Sequence, residues 1–142
     1  MKVLLTAIKT KFDAMSGVPT PAHNAAYLAL GGRLYLGQAP QSATVPYCIY
    51  TMVSQVAGWT FTNAEETFRV QFSVWSQSAS AVEALDAAAA LWALFDDCAL
   101  TVTGYRHVYM QRELSVLLRE DAGDEIWWHH ATDYRIMLEK SR

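Results

Sequence analysis

"RHVYMQRELSVLLREDAGDEIWWHHATDYRIMLE", residues 106–139, is the stretch on which the fold turns. It reads as a long β-hairpin. Val108, Met110, Leu114, Val116 and Leu118 share one parity, while His107, Tyr109, Gln111, Glu113, Ser115 and Arg119 share the other. With Ala122-Gly123-Asp124 as a three-residue turn, Leu118 faces Trp128, Val116 faces His130, Leu114 faces Thr132 and Met110 faces Ile136. In that register the apolar positions largely coincide, and the second face carries Trp127, His129, Asp133 and Arg135. A slip of one residue exchanges the two faces, so the parity match selects the register.

Upstream of the hairpin, "VEALDAAAALWALF" (82–95) is a strong helix with no polar side chain from Ala87 to Phe95. Ser80 and Glu83 have capping-box spacing before it. Such a helix is expected to be nearly surrounded, by a sheet on one side and by a helix or a subunit on the other. Asp96 and Asp97 follow where the helix dipole disfavours carboxylates, and nothing in the sequence explains them. Before the helix, Phe68, Val70, Phe72 and Val74 alternate with Arg69, Gln71 and Ser73, which is a strand with one apolar face. "AGWTFTNAE" (57–65) connects it to a strand over 47–56, itself preceded by a loop from Pro40 to Pro46 and a short strand in "RLYLG". Pro46 lacks an N–H and belongs at the first residue of a strand or at an edge.

Leu4, Leu5, Ile8, Phe12 and Met15 recur at helical spacing and predict an amphipathic first helix that stops near Ser16-Gly17. Residues 18–32 have two readings: a loop, or a short helix capped at Thr20-Pro21 and ending at Gly31. The order that results is helix, short strand, hairpin, helix, hairpin. It predicts an α+β fold: one mainly antiparallel β-sheet with two main helices packed on one face, and a single domain over residues 1–142.

Composition narrows the function classes. The chain has 142 residues, 52% of them hydrophobic and 18% charged, against about 25% charged in an average domain. No run reaches the ~18 consecutive apolar residues of a bilayer crossing. Lys9, Lys11 and Asp13 come too early for a secretory signal, so the expected site of synthesis is the cytosol. Spare apolar surface is then expected to be buried against other subunits. A net charge of −3 carries no phosphate-binding footprint and disfavours nucleic-acid binding. Cys48 and Cys98 lack CxxC spacing and read as free thiols.

Candidate chemistry is thin. His129 and His130 in "WWHH" point to opposite faces of a strand and cannot readily share one metal. Adjacent carboxylates such as Glu65-Glu66 or Glu120-Asp121 sit at strand ends and turns, where they are solvated. Cys48 has no local nucleophile motif, and Gly31-Gly32 and Gly37 form no phosphate loop. No catalytic, cofactor-binding or metal-ligating set is expected, so the chain reads as a non-enzyme. The aromatics weigh more: five Trp and seven Tyr. Trp92 and Trp128 belong to the core, whereas Trp59, Phe61, Trp75 and Trp127 fall on a hairpin tip or on polar faces, as interface aromatics do. Together with His129 and Arg135 they are the expected subunit or partner contacts.

"RLYLGQAPQSATVPYCIY" (33–50) resembles the signature of the tail-completion, or tail-terminator, proteins of long-tailed bacteriophages. The strand "FRVQFSVWS", a Ser-capped alanine-rich helix and a hairpin closing near "WHHATDYRIMLE" continue the resemblance, which covers residue 33 to the end and the N-terminal helix. Residues 18–32 are longer than the usual connection. The resemblance implies a homo-oligomeric ring, typically a hexamer, at the head-proximal end of the tail tube, assembled in the host cytoplasm. The ring stops tube growth and receives the head connector or stopper. A prophage or gene transfer particle would use the same part. Its partners would be itself, the tail-tube protein and the connector, with DNA passing through a mildly acidic lumen. The alternatives are a tail-tube or head–neck connector subunit and, in a different class, a small metal-dependent hydrolase using residues 127–130.

Overall fold

Phe72 sits on the middle strand of a five-stranded sheet and gathers the core around itself. The computed structural model describes residues 1–17 and 21–141. Its elements are α1 (Lys2–Asp13), a 3-10 turn (Ala14–Gly17), α2 (Pro21–Ala29), β1 (Leu34–Leu36), β2 (Tyr47–Trp59), β3 (Asn63–Ser76), α3 (Val82–Phe95), β4 (Arg106–Ala122) and β5 (Glu125–Ser141). The strand order is β1-β2-β3-β5-β4. Every pairing is antiparallel except β1 with β2. The fold is therefore α+β with one mainly antiparallel sheet, as the element order predicts.

The helices share one face of that sheet. Phe68, Val70, Phe72 and Val74 of β3 and Tyr134, Ile136 and Leu138 of β5 are buried beneath them with Leu4, Ile8 and Phe12 of α1 and Leu91 and Phe95 of α3. Phe72 lies 4.9 Å from Phe95, 5.6 Å from Tyr134 and 6.1 Å from Tyr50, ring to ring. Tyr50 in turn donates its hydroxyl to the Leu5 carbonyl of α1. Three helices pack here rather than two, because 21–29 is helical. Gly32 N–H donates to Tyr27 O and Gly31 N–H to Leu28 O, which closes α2 in a Schellman motif. Gly32 has φ +74°, and a Cβ there would stand 2.7 Å from the Tyr27 hydroxyl, so this end requires glycine. The expected Thr20 cap lies outside the described residues.

Three expectations need correction. Glu83 does not close a capping box with Ser80: it accepts from the Ser76 hydroxyl at 2.7 Å, while Ser80 Oγ accepts from Val82 N–H. Helix α3 is covered by the sheet and by α2, yet Leu85, Ala89 and Ala93 stay exposed, so it is not surrounded within one chain. The hairpin register also differs. Ala122 pairs with Glu125, so the turn is the two-residue Gly123-Asp124. Gly123 at φ +63° opens it, as a first central glycine in a type II′ turn does. Leu118 then pairs with His129, Val116 with Ala131 and Leu114 with Asp133; a bulge at Glu113 restores Met110 to Ile136, and a second near Val108 shifts the register again beyond it. A bulge inserts one residue and reverses side-chain parity beyond it.

The acidic end of α3 now has a cause. Asp96 accepts a 2.6 Å hydrogen bond from the Tyr134 hydroxyl and pairs with Arg112 at 3.3 Å. Arg112 lies over the Trp92 ring at 3.8 Å. Asp97 takes φ +51°, a left-handed conformation that Asp tolerates, and its N–H donates to Met110 O. The two aspartates thus tie the helix end to β4 and β5 instead of opposing the dipole in isolation. Tyr134→Phe removes the buried half of that tie. It is expected to cost about 2 kcal/mol in urea denaturation, the range for a hydrogen bond to a charged group, with no change in far-UV dichroism.

Candidate assembly surface

Opposite the helices the sheet carries no covering layer among the described residues. Side chains alternate along each strand, so the cross-strand pairs define rows on this bare face. One row is Tyr47, Trp75, His129 and Leu118; the next is Ile49, Ser73, Ala131 and Val116; then come Thr51, Gln71, Asp133 and Leu114. Ser73 and Ala131 are buried although nothing lies over them, because they are small and walled by Ile49, Trp75, His129 and Val116. They form the floor of a shallow trough with aromatic and aliphatic walls.

Three of the six sequence-expected contacts meet at the upper end of this face. The His129 imidazole stacks on Trp75 at 4.0 Å with 8° between planes, and Trp127 meets Trp75 edge-on at 6.1 Å. Trp127 Nε1 donates to Glu125, which also accepts from Gln77. Arg135 lies on the same face but lower. It pairs with Glu113 at 3.1 Å and rests over Tyr109, while Arg69 reaches the other Glu113 oxygen at 2.7 Å. Glu113, the bulge residue, is thereby the clamp between two arginines of neighbouring strands. Trp59 and Phe61 are elsewhere, at the β2–β3 tip, roughly 40 Å along the strands from Trp127. Phe61 is fully exposed.

Sequence reasoning missed the aliphatic half of the surface. Parity sends Leu114, Val116 and Leu118 to the core, but the shorter turn places them on the bare face, with Leu114 63% exposed. Val53, at the bulge between Met52 and Ser54, and Val56 beyond it are also exposed. A strand that is apolar on both parities, as Leu114–Leu118 is, was the available signal.

The chemistry of the surface is that of contact. His129 and His130 point to opposite faces: His130 is buried beside Trp92, with its Nδ1 3.5 Å from Thr132 Oγ1. Among the described residues, no group of three or more His, Cys, Asp or Glu side chains is placed to hold a metal ion. The described cysteines are free, and burial pushes the Cys48 thiol far up, away from nucleophilic thiolate. Among the described residues no helix is long and apolar enough to cross a membrane.

Fold and surface together define an α+β module, helix-covered on one side of its sheet and open on the other. The family profile described as "Tail completion protein gp17" matches residues 22–139, and the chain belongs to that family. It is a structural component of a phage-type tail. A chain in the "Virion of native gene transfer agent (GTA) particle" shares the fold, with a TM-score of 0.72 at 16% identity over 95% of this chain and 96% of that one. No curated protein sequence matches.

Burial holds the His129 pKa below its ordinary value, and the nearby Glu120 carboxylate only partly offsets this. The folded form therefore prefers neutral imidazole, and the unfolded chain binds the proton more readily. The contribution of His129 to stability is full above about pH 6.5, the unfolded value, and is lost as pH falls below it. His107 and His130 are shifted in the same direction by burial. The melting temperature is expected to drop between pH 7 and pH 5, and to drop less in His129→Phe, which keeps the stack on Trp75 without the titration. An equal drop in both proteins counts against the assignment.

Proposed function

We propose that this chain is a tail terminator: a homo-oligomeric ring, of six copies by the family resemblance, seated at the head-proximal end of the tail tube. The ring stops tube growth and presents a surface to the head connector or stopper, with residues 1–142 acting as one assembly domain. Membership of the tail completion family supports the place in the virion. One structural observation carries the reading further, the bare sheet face with Trp75, His129 and Trp127 at its upper end. A monomer gains nothing from exposing that surface, whereas each interface Trp that becomes fully buried contributes roughly 2–3 kcal/mol. Trp127, His129 and Arg135 then contact a tail partner or a neighbouring copy, and Trp59 and Phe61 form a second contact at the opposite end of the sheet. The role is structural, without catalysis, and assembly takes place in the host cytoplasm.

A tube or connector subunit with a similar sheet is the competing reading, and assembly behaviour separates the two. Purified protein mixed with tail tubes is expected to form closed rings at one tube end and to halt further growth, as seen by electron microscopy and mass measurement. Open-ended polymers of the chain alone favour the tube reading instead. Trp127→Ala is expected to raise the concentration needed to cap half of the tubes about 30- to 150-fold, the equivalent of 2–3 kcal/mol, with little change in the monomer's unfolding. Unaltered capping removes Trp127 from the contact.

A further inference from the structure

The outer edges of the sheet are left unpaired in complementary places. On one side β1 covers β2 only at Cys48–Tyr50, and no backbone hydrogen bond among the described residues reaches the outer side of Thr51–Gly58. On the other side Asp97 N–H caps Met110 O, and no such bond reaches the outer side of β4 from Arg112 to Ala122. Native edges are usually blunted by charge, proline or brevity. Here β2 has no charged residue from Tyr47 to Trp59, and β4 has none from Leu114 to Leu118. The free half of β2 lies at the lower end of the sheet and the free half of β4 at the upper end.

Resting on the ring reading above, we infer that the free edge of β4 in one copy pairs antiparallel with the free edge of β2 in the next, joining the sheets around the ring. The occupant is a second copy because one chain carries both halves of the contact on opposite sides of one sheet. Such a head-to-tail contact closes into a ring when the rotation permits. Direction agrees: β2 and β4 run opposite ways, so the alternation of strands continues across the joint. Hydrogen-bonding polarity also agrees. The bonds at Tyr50 O and Met110 O fix which peptide groups point outward, and following the pairings makes these Gln55 and Ala57 on β2, and Ser115, Leu117 and Arg119 on β4.

The register with Leu117 opposite Gln55 satisfies these conditions. Both residues point outward with their peptide groups, and both side chains lie on the helix side of their sheets. The same register sets exposed Val116 against exposed Val56 on the bare face, an apolar non-hydrogen-bonded pair of the kind whose Cβ atoms approach closely. It also brings the β4–β5 tip against the end of β1, which stops further sliding. The offset between the two free halves is about 20 Å along the strands, and the lateral step of four strands is about 19 Å. Strands tilted by about 45° from the ring axis accommodate both, close to the 35–45° of closed barrels. Joining copies through the edges leaves the Trp75–His129–Trp127 face for the tail partner.

The test is a double variant, Val56→Cys with Val116→Cys, made in Cys98→Ala so that the one remaining native thiol is buried Cys48. Mild oxidation of assembled rings is expected to give a ladder of covalent multimers up to the full ring on a denaturing gel, and neither single-cysteine variant gives one. In parallel, Ala57→Pro and Leu117→Pro each remove one outward N–H, and both are expected to abolish rings while the monomer still unfolds cooperatively. Rings visible by microscopy without a ladder in the double variant, or rings intact in both proline variants, overturn the edge pairing and leave the ring reading standing. A wild-type chain that forms no ring, in solution or on tail tubes, overturns the ring reading and this inference with it.

Discussion

A single covered face is the constraint on which the structure depends. Helices pack on one face alone, and at its centre Phe72 of the middle strand meets Phe95, with Tyr50 and Tyr134 closing the ring contacts from the strands on either side. Aromatic pairs in such geometry contribute roughly 0.5–1.5 kcal/mol each beyond their area. They also set distances. The alanines of α3 at 84, 87 and 88 are buried because a small side chain lets the helix approach the sheet, while the bulk that fills the space comes from the strands. A larger residue at those three positions would lift α3 from the sheet and separate Phe95 from Phe72.

The polar contacts of the covered face keep this arrangement in one register. Trp92 Nε1 donates to Thr132 Oγ1 at 3.0 Å, and the same indole carries Arg112, which pairs with Asp96, which accepts from Tyr134. The chain of contacts links α3, β4 and β5 and satisfies polar atoms that burial would otherwise penalise. Burial and the Asp96 hydrogen bond both push the Tyr134 hydroxyl pKa upward, so it stays a donor throughout the physiological range. Helix end, edge strand and hairpin are thus positioned by one network.

Periodicity made most of this legible. The alternation of Phe68 to Val74, the alanine-rich helix and the hairpin are in the sequence because each is a local pattern facing one continuous core. What escaped was parity across interruptions. Bulges near Val53, Val108 and Glu113 each insert one residue, and no residue type announces a bulge before its partner strand is known. A three-residue turn sends Leu114, Val116 and Leu118 to the core, whereas the two-residue turn puts them on the bare face. Trp75, Trp127 and His129 were assigned to that face correctly because no bulge lies between them and the strand centres that fixed the parity. Trp59 and Phe61 were read as a hairpin tip, and they are one, but nothing in a linear pattern gives their distance from the other aromatics.

Charge is unevenly distributed along the two free edges of the sheet. The uncharged run of β4 is flanked by Arg112-Glu113 on one side and by Arg119, Glu120 and Asp121 on the other, and Arg119 pairs with Asp121. Flanking charges of this kind blunt an otherwise uncharged edge against indiscriminate pairing. The uncharged edge of β2 has no such guard of its own. Its upper end is covered by the three residues of β1. On the proposed edge pairing, the charges that flank one edge and the stop beside the other favour a single register over aggregation.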